Sequence, residues 1–247
     1  MLRCVMLDFD DTLYDFSNAI KKAMFFMIMH SGLNRHNTEK FLRAVRKYND
    51  ELFFFINKKA GTEVNYYIDD NFIKSAFDYY KIFSEAMLPY SDKIVNKEVY
   101  ESYFYSQCNV STETIETLNL LKAKGILLVI LSDGVLNDKL KLLRYFKIDS
   151  LFDTIITSDQ IGCIKPSLKY FEIVQKRLQL HISECVYIGN HISDYLMAKQ
   201  AGVKFYAFNS DDSLAYYIKR DTISSLHTFK DILTLEKFGV KNVELCR

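Results

Sequence analysis

The sequence holds little of what breaks or loosens a chain. Its 247 residues include only 8 glycines and 2 prolines, which argues against long linkers, collagen-like segments and disorder. The cysteines are few and scattered, at positions 4, 108, 163, 185 and 246, with no CxxC pair. Such spacing suits neither a zinc site nor a disulfide framework, so reduced thiols in a cytoplasmic protein are expected. Net charge is almost absent: 32 basic against 31 acidic residues leave +1. No basic stripe stands out, and no nucleic-acid partner is expected. The longest apolar runs, around Ala23–Met29 and Ile126–Leu131, are too short to span a bilayer. The chain opens on a strand-like segment rather than a secretory leader, so no membrane partner is expected either. What is present is ordinary globular composition, 49% hydrophobic and 26% charged, enough for one large domain or two modest ones.

The most informative stretch is Cys4–Leu13, CVMLDFDDTL. Val5, Met6 and Leu7 read as a buried strand that runs into Asp8, Asp10, Asp11 and then Thr12. In open parallel sheets, ligands bind at the carboxyl ends of strands. Alternation puts Asp8 and Asp10 on one side, where their charges repel unless a cation intervenes. The plainer reading is a solvated acidic turn.

From Phe16 to about Tyr105 the sequence is rich in Phe, Tyr, Met, Lys and Asn at helical spacing. Phe41, Val45, Tyr48, Leu52 and Phe55 mark one helix, with Gly61 as its stop. Ala23–Met29, Phe72–Met87 and Val99–Tyr105 mark others. This is read as a helical insert with a small core of its own. Strand–helix alternation then begins. Ser111 caps a helix through Ala123; Ile126–Leu131 is a strand buried on both faces and stops at Ser132-Asp133-Gly134. A helix (Leu136–Phe146), a strand (Thr154–Thr157), and a helix opened by Lys165-Pro166 follow. Next come a strand at Cys185–Ile188 broken by Gly189-Asn190, a helix over Ser193–Gln200, a strand at Val203–Phe208 and a closing helix over Leu226–Phe238. The fold class expected is α/β, a doubly wound parallel sheet, with residues 1–15 and 106–247 as the core and 16–105 as an inserted helical domain.

Four sites put polar groups at or beyond strand ends: Asp8/Asp10, Ser132, Lys165 and Gly189-Asn190…Asp194. Each alone is a common turn or helix start. Together they suit phosphoryl transfer, which needs an in-line nucleophile, a proton donor for the leaving oxygen and positive charge around the equatorial oxygens.

The four in this order resemble the haloacid dehalogenase-like hydrolases. The matching motifs are Asp8-Phe9-Asp10-Asp11-Thr12, Ser132 at the end of an apolar strand, Lys165-Pro166, and Gly189-Asn190-His191-Ile192-Ser193-Asp194. The insert resembles that family's α-helical C1 cap. The resemblance implies that Asp8 is the nucleophile and Asp10 the acid and base. It implies that Ser132 and Lys165 hold the phosphoryl group, with Thr12 as a positioning residue and Asp133 and Gly134 at the substrate's edge. Asp11 and Asp133 also read as turn or capping residues. Mg2+ is implied as cofactor, on Asp8, the Asp10 backbone carbonyl, Asp194 and Asn190. Asn190 departs from the family pattern, which has an acid there, so weakened Mg2+ affinity is expected. The dehalogenases also lack that acid, but they lack the acid at Asp10 too, which favours a phosphatase. The expected substrate is a small phosphate ester, and the protein a monomer or homodimer. The alternative is a weakened relative that binds a phosphorylated ligand or partner. Tyr66 and Tyr67 are candidates for stacking on substrate, although aromatic stripes at helical spacing are more often core.

Overall fold

The computed structural model describes residues 2–60, 70–220 and 223–235, with backbone alone for 53–60 and 70. The elements in order are β1 (Cys4–Leu7), α1 (Phe16–Ser31), α2 (Arg35–Ala60), α3 (Asp70–Ala76), α4 (Tyr79–Met87), α5 (Lys97–Gln107) and α6 (Thr112–Ala123). They continue with β2 (Leu127–Ser132), α7 (Leu136–Phe146), β3 (Thr154–Thr157), α8 (Ser158–Ile161), α9 (Lys169–Leu178) and β4 (Cys185–Gly189). The last are α10 (Ile192–Ala201), β5 (Lys204–Ala207), α11 (Asp212–Lys219) and β6 (Ser224–Ser225).

The strands form one parallel sheet in the order β3-β2-β1-β4-β5-β6. This is the doubly wound architecture expected, with the order reversing beside β1. Two-residue alternation divides the side chains between two cores. Val5, Leu7, Leu128, Ile130, Val186 and Ile188 fill one. Met6, Val129, Leu131 and Tyr187 fill the other. β1 is buried along its whole length, which is why its sequence shows no polar alternation.

Between β1 and α6 every helix or strand among the described residues is a helix. Ala23 and Met27 of α1, Phe41 and Val45 of α2, Phe83 and Met87 of α4, and Tyr100 of α5 make a third core. Several expectations shift. The helix expected over Phe72–Met87 is two helices, because Asp78 Oδ1 accepts from Lys81 N at 3.0 Å and starts α4 afresh. The helix expected to open at Lys165-Pro166 begins at Lys169; the Lys165–Pro166 bond is cis, and a turn closed by Ser167 N to Ile164 O comes first. The closing helix is a 3-10 segment, Phe229–Thr234, as far as the described residues reach. The short strand β6 was not foreseen. Gly61, Tyr66 and Tyr67 lie outside the described residues, as does Cys246; Cys4, Cys108, Cys163 and Cys185 are buried thiols.

Candidate active site at the carboxyl ends of the central strands

β1 delivers Asp8 to the sheet's carboxyl edge, where Asp8 N still donates to Ile188 O at 2.9 Å. The chain then turns tightly. Leu13 N reaches Phe9 O at 3.0 Å, and Asp11 takes a left-handed φ of 59°, a conformation that Asp tolerates better than most residues. The Asp11 carboxylate accepts from Ser17 N at 2.7 Å and Ser17 Oγ at 2.6 Å. It thereby ties the loop to the first turn of α1. Thr12 Oγ1 donates to Asp8 Oδ2 at 3.1 Å, and Tyr14 OH donates to Asp10 Oδ1 at 2.9 Å.

Lys165 reaches this loop from the far side. It is 5% exposed. Its ammonium donates to Asp8 Oδ1, to Asp194 Oδ1 at 2.7 Å and to the Tyr187 hydroxyl at 3.4 Å. Asp194, fully buried in the first turn of α10, accepts from Tyr187 OH at 2.6 Å and from His191 N at 3.1 Å. Gly189 makes room for it: a Cβ there would sit 2.6 Å from Asp194 Oδ2.

Burial pushes the Asp8 carboxyl up, Lys165 pulls it back, and the Asp194 and Asp10 charges raise it again, to about 7. Two buried acids share one ammonium, so one of them lacks a full counter-charge. Burial lowers Lys165, but Asp194, Asp8 and Asp133 outweigh it and hold its ammonium well above the ordinary lysine value.

The loop after β2 is held from within. Asp133 Oδ1 accepts from Tyr170 OH at 2.8 Å, Ser158 Oγ at 3.0 Å and Lys165 N at 3.0 Å. Ser132 Oγ, buried at the strand end, donates to Asp133 O at 3.0 Å. Gly134 takes a φ of 110°, and its N–H donates to Ser158 Oγ at 3.1 Å. Past it, Lys139 comes in from α7 and ion-pairs with Asp10 Oδ2. Asn190 follows β4, nearly buried, its side-chain amide without a hydrogen bond to any described residue.

These groups line a cavity of about 800 Å3 whose other wall is helical, with Phe16 of α1, Tyr79 and Tyr80 of α4, and Tyr100 and Phe104 of α5. Asp8, Asp10, Ser132, Asp133, Gly134, Lys165, Asn190 and Asp194 all border it, whereas Thr12 stands behind Asp8. Sequence reasoning missed Lys139, Tyr187, Tyr14 and Tyr170. A tyrosine inside an apolar strand or a lysine in a helix carries no local mark of such a role. Tyr187 alone left a faint trace, as the one hydroxyl in the buried run Cys185–Gly189.

No three His, Cys, Asp or Glu side chains among the described residues are grouped to hold a metal. The reason is visible in the donor set, which is two carboxylates and an amide. Asp8 and Asp194 share the Lys165 ammonium, and the Asn190 amide oxygen accepts from none of the described residues. Oxygen donors of this kind with surplus negative charge fit a hard divalent cation.

Residues 5–208 match the family described as haloacid dehalogenase-like hydrolase. The chain belongs to that family. A glyceraldehyde 3-phosphate phosphatase of Methanocaldococcus jannaschii is 29% identical over 94% of this chain and 97% of its own. A protein of the same name from Methanothermobacter thermautotrophicus is 28% identical over 85% of this chain and 87% of its own. Among solved structures, a HAD phosphatase from Thermococcus onnurineus superposes with a TM-score of 0.67 at 21% identity, covering 94% of this chain and 97% of that one. This haloacid dehalogenase-like hydrolase is thus an enzyme whose curated relatives carry phosphatase names, in keeping with the phosphatase read from the acid pair.

Proposed function

We propose that this hydrolase cleaves a small phosphate monoester with Asp8 as nucleophile. The reading rests on one observation: Lys165, from the segment before α9, bonds at once to Asp8 after β1 and to Asp194 on α10. Three segments distant in sequence converge on one buried cluster beside a cavity, as phosphoryl transfer requires.

In the first half-reaction an Asp8 carboxylate oxygen bonds to phosphorus as the bond to the ester oxygen breaks. Asp10 passes a proton to that departing oxygen, and the alcohol leaves. In the second, Asp10 takes a proton from water as the water oxygen attacks the aspartyl phosphate. The acyl phosphate bond breaks, which returns Asp8 and releases inorganic phosphate. Lys165 holds Asp8 in place, and Ser132 stands at the strand end where a phosphoryl oxygen can accept its hydroxyl.

Mg2+ suits the Asp8, Asp194 and Asn190 donors and, when bound, neutralises phosphoryl charge. Segment 16–105 acts as a cap over the cavity, excluding bulk water and choosing the leaving group. Triose phosphates, named for the archaeal relatives, head a first substrate panel.

Hydrolysis of p-nitrophenyl phosphate across a Mg2+ titration, beside Asp8→Asn, tests the reading. Turnover by the wild type and its loss in Asp8→Asn support it. Equal rates in the two would leave the second reading, a phosphate-binding relative without turnover, which Asn190 in place of an acid favours.

A further inference from the structure

We infer that Lys139 is a second phosphate-binding cation of this site, able to hold a phosphoryl dianion without a divalent metal. The inference rests on the phosphatase reading and assigns part of its substrate binding. An ammonium has three N–H donors. Those of Lys165 are all taken, by Asp8, Asp194 and Tyr187. Lys139 is different. It is 8% exposed and borders the same cavity, yet among the described residues its only hydrogen-bond acceptor is Asp10 Oδ2. Its ammonium rests 5.1 Å from the centre of the Phe9 ring. It also stands beside the turn after Ser132, where a Cβ on Gly134 would lie 3.5 Å from Lys139 Cε and 3.7 Å from Nζ. Two donors of a desolvated cation therefore remain for a ligand at the mouth of the Ser132 loop.

Formal charge points the same way. Asp8, Asp10 and Asp194 bring three negative charges, and Lys165 and Lys139 two positive ones. An acid at position 190 and a neutral residue at 139 would make the sum more negative by two, the charge that one Mg2+ supplies. Asn190 and Lys139 together thus lessen the repulsion that a phosphate dianion meets when no metal is present. A cation held by a ring face and one carboxylate is also placed before the ligand arrives, so little ordering is needed on binding.

The test is titration of inorganic phosphate into the whole protein by calorimetry, in EDTA and again in Mg2+. The variants are Lys139→Met, Lys139→Arg, Asn190→Asp and the double variant Lys139→Met/Asn190→Asp, with folding checked by circular dichroism. Wild type is expected to bind phosphate in EDTA. Lys139→Met should weaken that binding by roughly tenfold or more, as loss of a charge-assisted contact does. Lys139→Arg should retain most of it, which separates lost charge from lost packing. Asn190→Asp should weaken it in EDTA and restore it in Mg2+, and the double variant should bind only with Mg2+. Phosphate binding by wild type only in Mg2+, or equal binding by wild type and Lys139→Met in EDTA, overturns the assignment. Failure of the phosphatase reading shows separately, as absent p-nitrophenyl phosphate hydrolysis in saturating Mg2+.

Discussion

Tyr187 and Lys165 meet on a single oxygen of Asp194, the phenol at 2.6 Å and the ammonium at 2.7 Å. The strand interior thus braces the same carboxylate that anchors the lysine. Tyr187→Phe removes the hydroxyl and little else. A hydrogen bond to a buried charge contributes about 1.5–3 kcal/mol, and a loss of that size is expected in urea unfolding. Hydrolysis should fall several-fold as Lys165 and Asp194 lose their common support. An unchanged unfolding midpoint would show that the phenol bears none of the load.

Gly189→Ala should be more damaging than its size suggests. The added methyl would meet Asp194 Oδ2, Cγ and Cβ at 2.6, 2.7 and 2.8 Å. Overpacking of this kind costs about 1–3 kcal/mol. Because Asp194 must move, activity is expected to drop on the order of a hundredfold. Thermal unfolding and p-nitrophenyl phosphate turnover measure the two effects separately.

Asp133→Ala leaves three donors without their acceptor. Tyr170 OH and Ser158 Oγ are 3.0 Å apart and can pair with each other. The Lys165 backbone N–H loses its partner. A buried donor left unsatisfied costs about 1–3 kcal/mol, and Lys165 should lose its alignment with Asp8. Asp133→Asn keeps an acceptor oxygen and should recover most of the stability. Equal loss in both variants would mean that charge, not acceptance, matters at this position.

The raised Asp8 carboxyl gives a pH dependence with a definite sign. Burial, with the Asp194 and Asp10 charges, lifts it from 3.8 to about 7 in the fold against the pull of Lys165. Between those values the folded state binds more protons than the unfolded one. Asp8 therefore makes folding less favourable as pH rises from about 4 to about 7, and adds no further slope above that. In EDTA, Asp8→Asn should flatten this part of the stability curve. In the proposed reaction the nucleophile is the carboxylate, so kcat/KM at low Mg2+ should climb through about pH 7. Added Mg2+ favours the ionised form and should move that rise to lower pH.

Much of the fold could be read from the chain because its central strands are buried on both faces. Val5–Leu7, Ile126–Leu131 and Cys185–Ile188 are unbroken apolar runs, and each ends in a polar residue that borders the cavity or in the glycine before one. The expected single helix over Phe72–Met87 missed a signal that was present, since Asp78 is a good capping residue in mid-run. The start at Lys165-Pro166 was misread because the local preference of proline for a first helical turn yields to tertiary demand. There Lys165 offers its N–H to Asp133 and its ammonium to Asp8. Asp8, Asp10, Ser132, Lys165, Asn190 and Asp194 could be picked out because motif spacing marks them. Tyr187, Tyr14 and Lys139 could not, because only folding gives each its carboxylate partner.

The grip of Asp11 on Ser17 has a mechanical result. The turn bearing both acids is tied to the foot of α1, so a displacement of that helix would be passed to the acids within a few residues. The aim of the acids and the seat of that helix are thus geared together through a single carboxylate.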